Sequence, residues 1–163
     1  MADYAQFMEG SGARVIPIVD TETDEVTLNK LSQLNGVLFP GGAGNDEYKA
    51  KAEFIYKQAI DYNDKGTYFP LFGICLGFEY LNIFASDAGH DILERLESHH
   101  ASISLDFQVD PTSTKMFKDA EDAKLYETAA SSYQSHTWGI NPESYEKDEG
   151  LKKIFKLTST CHD

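Results

Sequence analysis

Short, continuous apolar runs alternating with segments of helical periodicity constrain this chain more than any other feature. The runs are VIPI at 15–18, VLF at 37–39 and YFPLFGI at 68–74. Tyr4, Phe7 and Met8 fall at i, i+3, i+4 ahead of Gly10 and Gly12. Leu28, Leu31 and Leu34 repeat at helical spacing behind Asp24 and Glu25, and Gly36 closes that segment. The longest helical signal starts after Asn45, a good N-cap residue. Tyr48, Ala52, Ile55 and Ala59 share one face, and Glu47, Lys49, Lys51, Glu53 and Lys57 form a mixed-charge face expected in solvent. Residues 76–85 are apolar nearly all round, as in a helix buried against a sheet. Helix and strand alternating through short connections predict an α/β fold: right-handed crossovers, a mostly parallel sheet and helices on both faces. Functional groups are then expected at the C-terminal ends of the strands.

The second half is less regular. Ile103, Leu105, Phe107 and Val109 alternate with polar residues, which predicts a half-exposed strand, and 116–126 has helical periodicity. No repeat or linker divides the chain, so 1–163 reads as a single domain. It opens on a helix with no strand before it and stops after the apolar segment IFKL at 154–157. Both ends are therefore expected to cut through a βα unit, leaving a partial domain. Pro17 removes one ladder donor and places the 15–18 strand at an edge or a strand end.

Charge narrows the partners. Fourteen Lys and Arg against 27 Asp and Glu give a net −13, which disfavours nucleic acid and anionic membrane surfaces. No apolar stretch approaches the roughly 20 residues that span a bilayer, and the start, MADY, lacks the order of a signal peptide. Cys75 and Cys161 have neither disulfide-framework nor zinc spacing.

The chemistry gathers in FPLFGICLGFEYL, 69–81. Cys75 stands at a strand-to-helix corner with Gly73 two residues before it and Gly77 two after, the G-x-C-x-G pattern of a nucleophile elbow. Glycine is needed there because the turn brings backbone against backbone. The positive end of the following helix favours negative charge at the sulfur. A lone cysteine is more often buried and inert; the glycine frame weighs the other way. A second glycine corner, Pro40-Gly41-Gly42, ends the neighbouring strand. Alone it is a turn, but beside Cys75 its amides, with that of Leu76, could form an oxyanion hole.

These segments carry a resemblance. GSGARVIPI (10–18), NGVLFPGG (35–42), YFPLFGICLGFEYL (68–81), SHTWGINPESY (135–145) and LKKIFKL (151–157) resemble the class I glutamine amidotransferase-like superfamily and, in detail, the γ-glutamyl hydrolase family. The resemblance implies a flavodoxin-like fold, here incomplete. It also implies a cysteine hydrolase: Cys75 attacks the γ-carbonyl of a folyl or antifolate poly-γ-glutamate, and water hydrolyses the thioester. Gly41, Gly42 and Leu76 would bind the oxyanion, without metal or organic cofactor. Amidotransferases that supply ammonia usually carry Gln four residues after the nucleophile, where this chain has Glu79. Glu79 either hydrogen-bonds in the substrate pocket or fixes the elbow. His136 lies where the family places a second active-site histidine, and is either a structural residue or a contact to substrate. His90, His99 and His100 are expected to be solvated, His162 lies at the chain end, and Cys161 is expected to be inert.

The family's general acid/base histidine, in a W-H-P-E-like strand end, is not among these residues, and Asn141-Pro142-Glu143 is not its equivalent. Little or no hydrolase turnover is therefore expected of this chain by itself. The competing readings are a glutaminase module of an amidotransferase and a non-catalytic binding protein derived from the hydrolase. Resemblance further implies a lysosomal, vacuolar or extracellular location, and a homodimer is compatible with it.

Overall fold

The computed structural model describes residues 2–162, with the side chains of residues 2, 97–99 and 120 left aside. The expectation for the His99 side chain therefore lies outside the described residues. The chain forms two compact units, 1–84 and 85–163.

In the first unit, α1 (Ala2–Gly10) and α2 (Asp24–Leu31) precede β1 (Val37–Phe39), α3 (Asp46–Asp64), β2 (Leu71–Gly73) and α4 (Leu76–Ala85). The Thr23 hydroxyl caps α2 by accepting from the Val26 amide. Asn45 caps α3, its Oδ1 accepting from the Tyr48 amide at 2.8 Å. β1 and β2 pair in parallel, with Val37 opposite Leu71, Leu38 opposite Phe72 and Phe39 opposite Gly73. Leu31, Phe39, Ala52, Ile55, Ala59, Phe69, Leu81 and Ile83 are buried. Each larger aliphatic among them contributes about 1.5–3 kcal/mol by leaving water.

Lys51 departs from the face expected for it. Its side chain is 8% exposed, and its Nζ donates to Asp24 Oδ1 at 2.7 Å, the Glu22 carbonyl at 2.8 Å and Thr27 Oγ1 at 3.2 Å. Three acceptors replace the lost hydration, which is what a buried ammonium requires. α4 is likewise not covered all round, since Phe78 is 47% exposed.

The second unit holds β3 (Glu94–Ile103), β4 (Asp106–Phe107), α5 (Ala120–Thr128), β5 (Ser132–Gly139), α6 (Pro142–Lys147), α7 (Glu149–Ile154) and β6 (Ser159–Thr160). β3 pairs antiparallel with β5, with register shifts between Arg95 and Ser98 and between Ser98 and Ala101. β4 pairs antiparallel with β6. Asp148 joins the start of α7 to the turn after α4. Its carboxylate accepts from Ser86 Oγ at 2.6 Å and from the amides of Leu151, Asp87 and Ala88 at 2.8, 3.2 and 3.3 Å.

The mostly parallel sheet is thus corrected. Among the described residues there are three two-stranded sheets; only β1–β2 is parallel, and β3–β5 and β4–β6 are antiparallel. The reason is visible in the residues. Parallel strands need continuous apolar runs because both faces are covered, whereas β5 alternates between half-buried and exposed positions over Ser132–Ser135, as an antiparallel strand with one solvated face does. Residues 15–18 form no strand: the segment is loop, with Val15 37% and Ile16 47% exposed. Pro17 supplies no amide there, and β1 pairs with β2 alone. The helix expected over 116–126 begins later, at Ala120, because the Asp119 carboxylate caps it through the Glu121 amide.

Candidate active site

The β2–α4 corner sets the site. β2 stops at Gly73, α4 starts at Leu76, and Cys75 between them has φ 53°. A side-chain-bearing residue in the left-handed region costs on the order of 1–2 kcal/mol. Three hydrogen bonds hold it there: Ile74 N–H to the Phe39 carbonyl at 3.1 Å, Gly77 N–H to the Ile74 carbonyl at 3.0 Å, and Glu79 N–H to the Cys75 carbonyl at 3.0 Å. The flanking glycines are packing requirements. A Cβ on Gly73 would lie 2.6 Å from the Gly77 backbone, and one on Gly77 would lie 2.7 Å from the Phe39 carbonyl carbon. Cys75 itself is exposed.

The glycine-rich segment after β1 runs beside this corner. A Cβ on Gly41 would fall 2.8 Å from Cys75 Cβ, 2.8 Å from Tyr4 Oη and 3.1 Å from the Ile74 carbonyl oxygen. Gly42 has φ 120°. The Gly41 amide is not open to the space above the sulfur as expected. It donates to Tyr4 Oη at 3.0 Å. The amides of Gly42 and Leu76 make no hydrogen bond among the described residues, the Leu76 amide because it opens a helix.

Three tyrosines that sequence reasoning did not assign surround this segment. Tyr4 accepts from Gly41, and Tyr48 Oη donates to the Pro40 carbonyl at 3.2 Å. The Tyr48 and Tyr80 ring centroids are 5.4 Å apart, and the Tyr80 hydroxyl lies against the position a Gly44 Cβ would take. Burial, with a smaller effect from Tyr80 and Tyr4, pushes the Tyr48 phenol up to about 12. Burial also raises Tyr80, helped by the negative charges of Glu79 and Asp46. For two of them the sequence signal is position alone: Tyr48 lies on the apolar face of α3, and Tyr4 belongs to the i, i+3, i+4 set of α1, in which Phe7 is 54% exposed.

Cys75, Gly41, Gly42, Leu76 and Glu79 all belong to the first unit, with Glu79 in the first turn of α4. His136 belongs to the second, on β5, where both ring nitrogens face oxygen acceptors: Nε2 is 2.9 Å from Gln134 Oε1 and Nδ1 is 3.1 Å from the Trp138 carbonyl. His100 Nδ1 lies 2.7 Å from Tyr133 Oη. Cys161 is half-buried in the second unit. Among the described residues, no three His, Cys, Asp or Glu side chains are grouped to hold a metal ion, and no helix is long and apolar enough to cross a membrane.

An exposed cysteine at a strained corner, with two uncommitted amides nearby, can attack a carbonyl and stabilise the resulting oxyanion. Residues 9–163 match the family Glutamine amidotransferase class-I. Among curated proteins, the chain is 38% identical over 167 residues to Gamma-glutamyl hydrolase 1 of Arabidopsis thaliana, covering 99% of this chain and 47% of that protein. Its identity to Gamma-glutamyl hydrolase 2 of the same plant is 35% over 167 residues, covering 99% and 48%. With the Gamma-glutamyl hydrolase of Homo sapiens it is 32% over 169 residues, covering 99% and 52%. The chain spans about half the length of the curated relatives it matches. The family match takes in the Cys75 corner, the glycine-rich segment beside it and the whole second unit, and the chain belongs to the glutamine amidotransferase class-I family, with its similarity to curated proteins falling on γ-glutamyl hydrolases.

Proposed function

We propose that this chain carries the nucleophile half of a γ-glutamyl hydrolase acting on folyl and antifolate poly-γ-glutamates. The observation that carries the reading is the exposed Cys75 at φ 53°, locked between β2 and α4 by glycines that accept no side chain. Similarity to proteins named gamma-glutamyl hydrolase supplies the bond to be cleaved. The Cys75 sulfur, as thiolate, forms a bond to the γ-carbonyl carbon and the carbonyl electrons move to oxygen. The amides of Leu76 and Gly42 receive that oxyanion. Collapse breaks the C–N bond, and the leaving nitrogen of glutamate or of the shorter polyglutamate takes up, through solvent, the proton that the Cys75 thiol released. Water then cleaves the thioester, returning the thiol and the shortened folate. Glu79, one turn along α4, is assigned to a contact with the substrate. A net charge of −13 does not draw a polyanion in, so local donors must hold its carboxylates.

The second reading, a glutaminase module, is favoured by the family's own description. One experiment separates the two. The chain is incubated with pteroyl-tri-γ-glutamate or with L-glutamine, and released glutamate or ammonia is measured in single-turnover amounts. Release of glutamate from the folate donor, lost in Cys75→Ala, supports the hydrolase. Release of ammonia from glutamine alone supports the glutaminase, and release that survives Cys75→Ala overturns both.

A further inference from the structure

The Pro40–Gly41 peptide is held from both sides by phenols. Tyr48 Oη donates to its carbonyl oxygen at 3.2 Å, and its N–H donates to Tyr4 Oη at 3.0 Å. The bond is trans, as are all the peptide bonds described, so its C=O and N–H point in opposite directions and fixing one end fixes the other. The next peptide, Gly41–Gly42, lies between two glycines, with Gly42 at φ 120°, and so meets little steric resistance to a flip. A flip of that peptide would turn the Gly42 amide away and put the Gly41 carbonyl oxygen, which repels an oxyanion, in its place.

We propose that Tyr48 is a positioning residue, whose hydroxyl holds the Pro40 carbonyl and with it the Pro40–Gly41 peptide, the anchor from which the Gly42 amide is presented to an oxyanion formed on Cys75. This inference rests on Cys75 being the nucleophile. Three further observations support it. Tyr48 is anchored independently of the loop, on α3, three residues after the Asn45 cap that fixes the helix start. The Tyr80 ring, 5.4 Å away, braces it from α4, the helix that opens directly after Cys75. Burial keeps the phenol protonated well above neutral pH, so it remains a donor.

The test uses two reagents that differ in whether an oxyanion forms. p-Nitrophenyl acetate acylates Cys75 through a tetrahedral oxyanion, whereas iodoacetamide alkylates it by direct displacement at carbon, with no oxyanion. Both rates are measured on the 163-residue chain carrying Cys161→Ser, with and without Tyr48→Phe, which keeps the ring and removes only the hydroxyl. Loss of one oxyanion donor costs about 10²–10³ in rate; loss of its positioning is expected to slow acylation about tenfold and leave alkylation within twofold. Equal acylation rates, or a parallel fall of both rates, overturn the role of Tyr48. Alkylation without acylation in the parent chain overturns instead the underlying reading of Cys75. A readout without any variant keeps the proposal open to refutation if Tyr48→Phe unfolds: a held peptide protects the Gly41 amide from hydrogen exchange, and exchange at the unprotected rate shows that the peptide is not held.

Discussion

The Tyr4 hydroxyl accepts a hydrogen bond from the Gly41 amide at 3.0 Å, joining the first helix of the chain to the loop beside Cys75 across 37 residues of sequence. A neutral hydrogen bond of this kind contributes about 1 kcal/mol net. Tyr4→Phe is expected to lower the urea-unfolding free energy by about that amount and to raise hydrogen exchange at Gly41. Unchanged exchange would mean that the bond is not formed in solution.

The two elbow glycines differ from Gly42 in what a methyl group would meet. A Cβ on Gly77 runs into the Phe39 backbone and one on Gly73 into the Gly77 backbone, whereas one on Gly42 meets nothing within 4 Å. Overpacking costs about 1–3 kcal/mol where neighbours can move, and strand backbone moves little. Gly77→Ala and Gly73→Ala are expected to reach or exceed the top of that range in thermal or urea melts. Gly42→Ala, which carries only the strain of its positive φ, is expected to cost less.

Lys51 ties α3 to the start of α2 through Asp24, the Glu22 carbonyl and Thr27. Hydrogen bonds from a charged donor contribute about 1.5–3 kcal/mol in mutational series. Lys51→Met is expected to destabilise the chain by about 2 kcal/mol. Lys57→Met, which removes the exposed i,i+4 pair with Glu53, is expected to change stability by less than about 0.5 kcal/mol. Similar values for the two would contradict the buried role of Lys51.

Asp148 gives a pH dependence of defined sign. Burial pushes its carboxyl up, but the Ser86 hydroxyl and the amides of Leu151, Asp87 and Ala88 outweigh this and hold it below its ordinary value of 3.8. Its contribution to stability is therefore present in full above the unfolded-state value and is lost as pH falls through about 3.8 toward the lower folded-state value. Urea melts between neutral pH and pH 3 are expected to show a steeper acid-side loss in the parent chain than in Asp148→Asn. Parallel curves would remove Asp148 from the account.

Local chemistry was the most legible part of the sequence. The Asn45 cap, the span of α4 and the glycine-framed Cys75 corner are each dictated within a few residues by capping, periodicity and the room a turn leaves. Pairing between distant segments was not legible. Residues 15–18 carry the apolar run of a strand, yet a strand exists only where a neighbour supplies donors and acceptors, and none among the described residues pairs with them. The polar alternation of β5 was not read as a strand, and its pairing with β3 makes the second unit antiparallel. Lys51 looked solvated because its three acceptors lie 24 to 29 residues away. The tyrosines around the glycine-rich segment escaped notice for a related reason: a buried stripe shows which side a residue faces, not which carbonyl its hydroxyl reaches.

The central claim is that the Cys75 sulfur attacks a γ-glutamyl carbonyl, and trapping the acyl-enzyme tests it most directly. The chain is mixed with pteroyl-tri-γ-glutamate, quenched in acid to preserve a thioester, digested and sequenced by mass spectrometry. The account predicts an acyl group, equal to the donor less its leaving glutamate portion, on the peptide containing Cys75 and absent from Cys75→Ala. Acylation of Cys161 in its place, or no acylated peptide while free iodoacetamide still labels Cys75, would contradict it.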